Sequence, residues 1–135
     1  MKTADAVDEI LRSRVFAVVG ASRDRRKYGS IVLSDLWDKG YTAYPVNPRA
    51  DRILGRRAYP SIASLPPGVE ALVLVVPPEV AAAAVREGLA AGIRRVWMQP
   101  GAESAEAVAF CESHGLAVVS GLCLMMQPLP APEER

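Results

Sequence analysis

Val15-Phe16-Ala17-Val18-Val19-Gly20-Ala21-Ser22, closed seven residues later by Gly29 and followed by Tyr44-Pro45-Val46-Asn47-Pro48, reads as a buried strand, a glycine turn, a helix and a second strand. Val15 to Val19 is apolar at every position, as a strand is when helices cover both faces of a parallel sheet. The turn departs from the dinucleotide pattern G-x-G-x-x-G, because Ser22 stands at the second glycine and Gly29 comes late. The loop is therefore longer and more polar than a standard NAD turn. Arg23, Arg25, Arg26 and Lys27 fill it, with Asp24 alone opposing them. Backbone of this kind at a helix start suits anions, so a phosphate-rich ligand is expected.

Outward from that stretch, strand-like and helix-like runs alternate. The periodicity predicts a helix over 29–39, with Val32, Leu33, Leu36 and Trp37 on its buried side and Gly40 as its stop. A strand over 42–46 follows, and residues 56–59 can add a short edge strand. A helical turn is expected at 61–65, a strand at 71–76 halted by Pro77-Pro78, and an alanine-rich helix at 79–91. Later strands at 95–98 and 117–119 are separated by a helix at 104–113. This pattern is a Rossmann-like doubly wound α/β fold, with strand order 3-2-1-4-5 expected from right-handed crossovers. The loops after Val19, Val46, Val76, Met98 and Val119 then share one edge, where a ligand touches several of them.

With 135 residues the chain has room for one domain, with its core at about 14–123 and a tail, expected to be mobile, at 128–135. The apolar runs are strand-sized, well short of the ~20 residues of a membrane helix. Asp5, Asp8 and Glu9 stand where a secretory signal needs an apolar core, so the expected location is cytoplasmic, with Cys111 and Cys123 as free thiols. The net charge of +1 argues against a nucleic-acid binder but hides an asymmetry. Residues 12–57 hold eleven Lys/Arg against four Asp/Glu, and the remainder holds five against eleven. The basic part contains the glycine loop.

An NAD-binding sheet ends its second strand in Asp or Glu, which takes the ribose hydroxyls. Here the strand ends Val46-Asn47-Pro48-Arg49. A neutral amide beside an arginine suits a ribose carrying its own phosphate, which leaves NADP or coenzyme A. The missing second glycine disfavours the NAD manner of pyrophosphate approach and favours coenzyme A.

Gly20-Ala21-Ser22, Lys27-Tyr28-Gly29, Gly40-Tyr41, Tyr44-Pro45-Val46-Asn47-Pro48, Ile53-Leu54-Gly55, Tyr59-Pro60-Ser61 and Val76-Pro77-Pro78 occur in order. In this set the chain resembles the CoA-binding domain family in its small stand-alone bacterial form. The same domain opens the succinyl-CoA synthetase alpha subunit and the ADP-forming acyl-CoA synthetases. The resemblance implies that Gly20, Ala21 and Ser22 meet CoA phosphate, with Arg23, Lys27, Tyr28 and Gly29 completing that loop. It further implies that Val46, Asn47, Pro48 and Arg49 border the adenosine end, that Val76, Pro77 and Pro78 line the cleft, and that Gln99 lies near the pantetheine path.

The synthetases pass a phosphoryl group through a histidine in a later domain. His114 is the one histidine in this sequence, beside Gly115 at a predicted helix end, where a capping role is expected. With no nucleophile set and no metal-ligand cluster, the expectation is a CoA-binding or acyl-CoA-binding protein without catalysis of its own. A protein partner or a homo-oligomer stays open. Two alternatives stand beside this reading: an NADP-binding oxidoreductase or redox-sensing Rossmann domain, and the CoA-binding subunit of a split acyl-CoA synthetase.

Overall fold

In the computed structural model, which describes residues 2–128, five parallel strands form one sheet between two helical layers. The strands are β1 (Val15–Val19), β2 (Thr42–Val46), β5 (Ala71–Leu74), β6 (Arg95–Met98) and β7 (Ala117–Ser120), and two two-residue strands, β3 (Arg52–Ile53) and β4 (Arg56–Arg57), lie outside that sheet. The helices are α1 (Thr3–Leu11), α2 (Tyr28–Asp38), α3 (Pro78–Ala90) and α4 (Ala105–Ser113). The expected mobile tail falls, beyond its first residue, outside the described residues.

Alternation along each strand divides the core. Phe16 and Val18, Ala71 and Val73, Trp97, and Ala117 and Val119 face α1 and α2, where they meet Ile10, Val32, Leu33 and Leu36. Ala17 and Val19, Leu72 and Leu74, and Val96 and Met98 face α3 and α4, against Ala81, Val85, Ala107 and Cys111. Small residues on α3 let that helix approach the sheet closely.

The sheet order is β2-β1-β5-β6-β7. Counted over these five long strands it runs 2-1-3-4-5, which corrects the expected 3-2-1-4-5. The cause lies at the outer side of β2. Arg56–Arg57 pairs antiparallel with Arg52–Ile53 around Leu54 and Gly55, both at positive φ, and so leaves the main sheet. Only a single parallel bridge, Val46 with Tyr59, remains where the short edge strand was expected. The chain then crosses back, and Ala71–Leu74 pairs with the free side of β1.

That outer side of β2 has few open hydrogen-bonding groups. Pro45 has no N–H to offer, and its carbonyl accepts from Tyr59 N–H at 2.9 Å. The Trp37 indole donates to the Ala43 carbonyl at 2.9 Å. Arg56 stacks 3.9 Å over the Trp37 ring, and Arg57 lies 4.9 Å over Tyr59.

Two elements were not anticipated. Helix α1 buries Ala6, Ile10 and Leu11 against the β6–β7 side, and its Glu9 carboxylate pairs with Arg95 at 3.3 Å. A 3-10 turn at Leu124–Met126 closes the α2 side. No helix among the described residues is long and apolar enough to cross a membrane.

Candidate functional site at the carboxyl edge of the sheet

The loops that follow β1, β2, β5 and β6 come together at the carboxyl ends of the strands, where open α/β sheets hold ligands. Gly20 leaves β1 at φ +95°, and a Cβ there would fall on the Val75 carbonyl oxygen, well inside van der Waals contact. A Cβ on Gly29 would meet the Gly20 carbonyl oxygen in the same way. The two glycines therefore let the β1 turn, the start of α2 and the end of β5 touch backbone to backbone.

Asn47 fastens the second loop to the first. Its Nδ2 donates to the Ala21 carbonyl at 2.8 Å, while its Oδ1 accepts from Arg49 N–H at 2.7 Å. Both ends of the amide are thus engaged within the chain. Where a dinucleotide site would carry a carboxylate, this strand end carries a brace, and Pro48 and Arg49 are left exposed beyond it.

The basic loop is ordered by short local bonds. Ser22 Oγ accepts from Asp24 N–H at 3.0 Å, and Arg26 forks onto Asp24 through Nε and Nη2 at 3.1 Å each. This pairing, with a further bond from Arg26 N–H, holds the Asp24 carboxyl below its usual range. The side chains of Arg23, Arg25, Lys27 and Arg49 make no hydrogen bond or ion pair among the described residues, and all four residues are exposed. The backbone N–H groups of Ser22, Arg23, Tyr28 and Gly29 likewise have no acceptor within the described chain. Free N–H groups thus stand with Arg23 and Lys27 at the start of α2, with Arg49 in the neighbouring loop and Arg25 beside Asp35 and Asp38 in the hollow along α2; donors and cations without partners are the composition of an anion site.

Beside this loop a shallow cleft of about 300 Å³ opens between Tyr28, Val76, Pro77 and the 100–102 turn. Tyr28 is 65% exposed and forms one wall. Pro78 is the first residue of α3, with Pro77 as its N-cap. Two wider hollows, of about 360 and 380 Å³, lie elsewhere, one against β7 and α4 and one along α2. Neither joins several strand ends, so the smaller cleft is the better candidate.

Most of the expected site residues are brought together: Gly20, Ala21, Ser22, Arg23, Lys27, Tyr28 and Gly29 in one loop, Val46 to Arg49 braced against it through Asn47, and Val76 with Pro77 across the cleft, while Pro78 opens α3 and does not line it. Gln99 is placed differently. It is 3% exposed, its Oε1 accepts from Leu124 N–H at 2.6 Å, and its Nε2 lies 3.5 Å from Cys123 Sγ. It braces the segment after β7 from behind the cleft. His114 terminates α4, with Nδ1 2.9 Å from the Phe110 carbonyl oxygen, in keeping with the capping role. Cys111 is fully buried, and burial, with Glu112 adding to it, pushes its thiol up to about 11.

A family model described as a CoA binding domain matches residues 14–127. The chain belongs to that family. It is 29% identical over 130 residues to an ADP-forming acetate–CoA ligase of Archaeoglobus fulgidus, a match covering 89% of this chain and 19% of the ligase. An uncharacterized Bacillus subtilis protein, YneT, is 29% identical over 119 residues and is covered to 88% of its length. A conserved hypothetical protein of Pyrococcus furiosus shares the fold with a TM-score of 0.80 at 45% identity, covering 83% of this chain and 97% of that one. The chain is thus similar both to about a fifth of a larger ADP-forming ligase and to proteins of about its own size.

Proposed function

We propose that this chain binds coenzyme A, or an acyl-CoA, at the carboxyl edge of the sheet and performs no catalysis of its own. The observation that carries the reading is the loop before α2, where free backbone N–H groups stand with the uncommitted Arg23 and Lys27 while Asp24 is already paired with Arg26, and where Arg25, also without an ion pair, borders the hollow along α2. The end of β2 supports it, since Asn47 is spent as a brace and Arg49 is the group left to meet a ribose phosphate. The shallow cleft beside Tyr28 gives the pantetheine arm a surface to lie along rather than a closed pocket. The sole histidine caps a helix, so the chain offers no histidine to accept a phosphoryl group at this edge.

A thermal-shift series with CoA, acetyl-CoA, NAD and NADP tests the proposal. A ligand at a hundredfold excess over its Kd adds about 2.7 kcal/mol to the folded state, a rise of about 10 °C for a domain of this size. CoA should give the largest rise. An equal or larger rise with NADP would favour a redox Rossmann domain instead. Incubation with CoA, acetate and ATP should yield no acetyl-CoA above a protein-free control. The third reading, a subunit completed by a separate catalytic chain, is supported by the ligase relative, in which this domain is about a fifth of the length. That reading requires turnover to appear when such a chain is added.

A further inference from the structure

The cation-bearing loop is fastened around one residue, by the main chain of Asp24 and by its carboxylate. Ser22 Oγ accepts from Asp24 N–H at 3.0 Å, Asp24 Oδ1 accepts from Arg26 N–H at 3.0 Å, and Lys27 N–H donates to the Asp24 carbonyl at 3.1 Å. The Arg26 guanidinium returns to the same carboxylate at two points, both 3.1 Å. Each link spans two or three residues, so residues 22–27 form a run of tight turns centred on Asp24 that ends at the first turn of α2. Asp24 thereby uses up Arg26, while Arg23, Arg25 and Lys27 stay uncommitted.

We propose that Asp24 is a positioning residue for the phosphate loop: by accepting the Arg26 main-chain N–H it fixes the turn that holds the remaining cations and free N–H groups in one arrangement. The ligand in this inference is the one proposed above, but the geometry is independent of it.

Charge alone predicts the opposite behaviour. Asp24 is the only acid in the loop, so its removal makes the loop more positive and should tighten a polyanion. The positioning role predicts that removal weakens binding, because the hold on the Arg26 N–H and guanidinium is lost, the two main-chain links of residue 24 alone remain, and the missing order must be imposed at the moment of binding. Two substitutions separate these effects. Asp24→Ala removes both the charge and the acceptor, whereas Asp24→Asn removes the charge and keeps an Oδ1 that can accept the Arg26 N–H.

Calorimetric titration with CoA, together with limited trypsin digestion in the absence of ligand, reads both consequences. Trypsin suits this loop because Arg23, Arg25, Arg26 and Lys27 are all cleavage points. Asp24→Ala should bind CoA about tenfold more weakly despite its added positive charge, and should be cut within 23–27 several times faster than the wild type. Asp24→Asn should restore wild-type digestion and bind CoA at least as tightly as the wild type. The proposal is overturned if Asp24→Ala binds as tightly as the wild type or is cut no faster, or if Asp24→Asn loses as much as Asp24→Ala. If the wild type itself fails to bind CoA, the functional reading fails, and the digestion series alone decides the role of Asp24.

Discussion

Replacing Gly20 by alanine tests whether the site depends on backbone-to-backbone contact, and a control is available in the same chain. At Gly20 the methyl group meets two penalties. The residue sits at φ +95°, which costs a side-chain-bearing residue about 1–2 kcal/mol. The methyl also falls on the Val75 carbonyl oxygen and 3.0 Å from Val76 Cγ1, so β1 and β5 must move apart, an overpacking cost of about 1–3 kcal/mol. Gly55 has φ +82° with nothing within 4 Å of its Cβ position, so alanine there meets only the first penalty. Gly20→Ala should lower Tm by about 7–18 °C and Gly55→Ala by about 4–7 °C. Differential scanning calorimetry of both variants, followed by titration with CoA, separates conformational strain from contact. Gly20→Ala should lose CoA binding at a temperature where it is still folded, and Gly55→Ala should keep it. Equal Tm losses for the two variants would refute the close approach of Gly20 to β5, and undiminished CoA affinity in folded Gly20→Ala would refute the placement of the ligand.

Arg49→Ala should weaken CoA about tenfold while leaving dephospho-CoA nearly unchanged, as measured by calorimetric titration; equal losses for both would remove Arg49 from the ribose phosphate. CoA affinity should also fall as sodium chloride rises from 0.05 to about 0.5 M, because exposed cations are screened over that range. Cys111 links pH to stability with a definite sign. Its thiol stays protonated in the folded chain up to about 11 but ionises near 9.0 once unfolded, so its contribution is complete below pH 9 and drains away as pH rises through 11. Urea unfolding across that range should show the wild type losing about 2 kcal/mol more than Cys111→Ala.

The β1 turn was easier to read in the sequence than the order of the strands. The β1 turn was legible because Gly20 and Gly29 answer to local backbone demands that only glycine meets, and the helix at α2 because Val32, Leu33 and Leu36 repeat on one face. Strand order depends on which edge is free when the chain returns, and the outer side of β2 is already held by Tyr59 at Pro45 and Asn47 and by the Trp37 indole at Ala43, contacts that leave no apolar pattern. Helix α1 does have a signal, in Ala6, Val7, Ile10 and Leu11 at helical spacing, but its acidic residues draw the eye to their charge first. The brace made by Asn47 and the burial of Gln99 were not readable. An amide looks the same in sequence whether its partners are ligand atoms or the carbonyl of Ala21 and the N–H of Leu124.

The outer side of β2 decides where this sheet can grow. A strand arriving from another molecule needs a ladder of free donors and acceptors to template it. Along β2 it finds an imide with no proton at Pro45, a carbonyl at Ala43 already held by an indole, and two guanidinium groups lying over Trp37 and Tyr59. The outer edge of β2 thus offers an incoming strand few groups to pair with. The other edge of the sheet is β7, on which α1 packs, so the two edges meet an incoming strand on unequal terms.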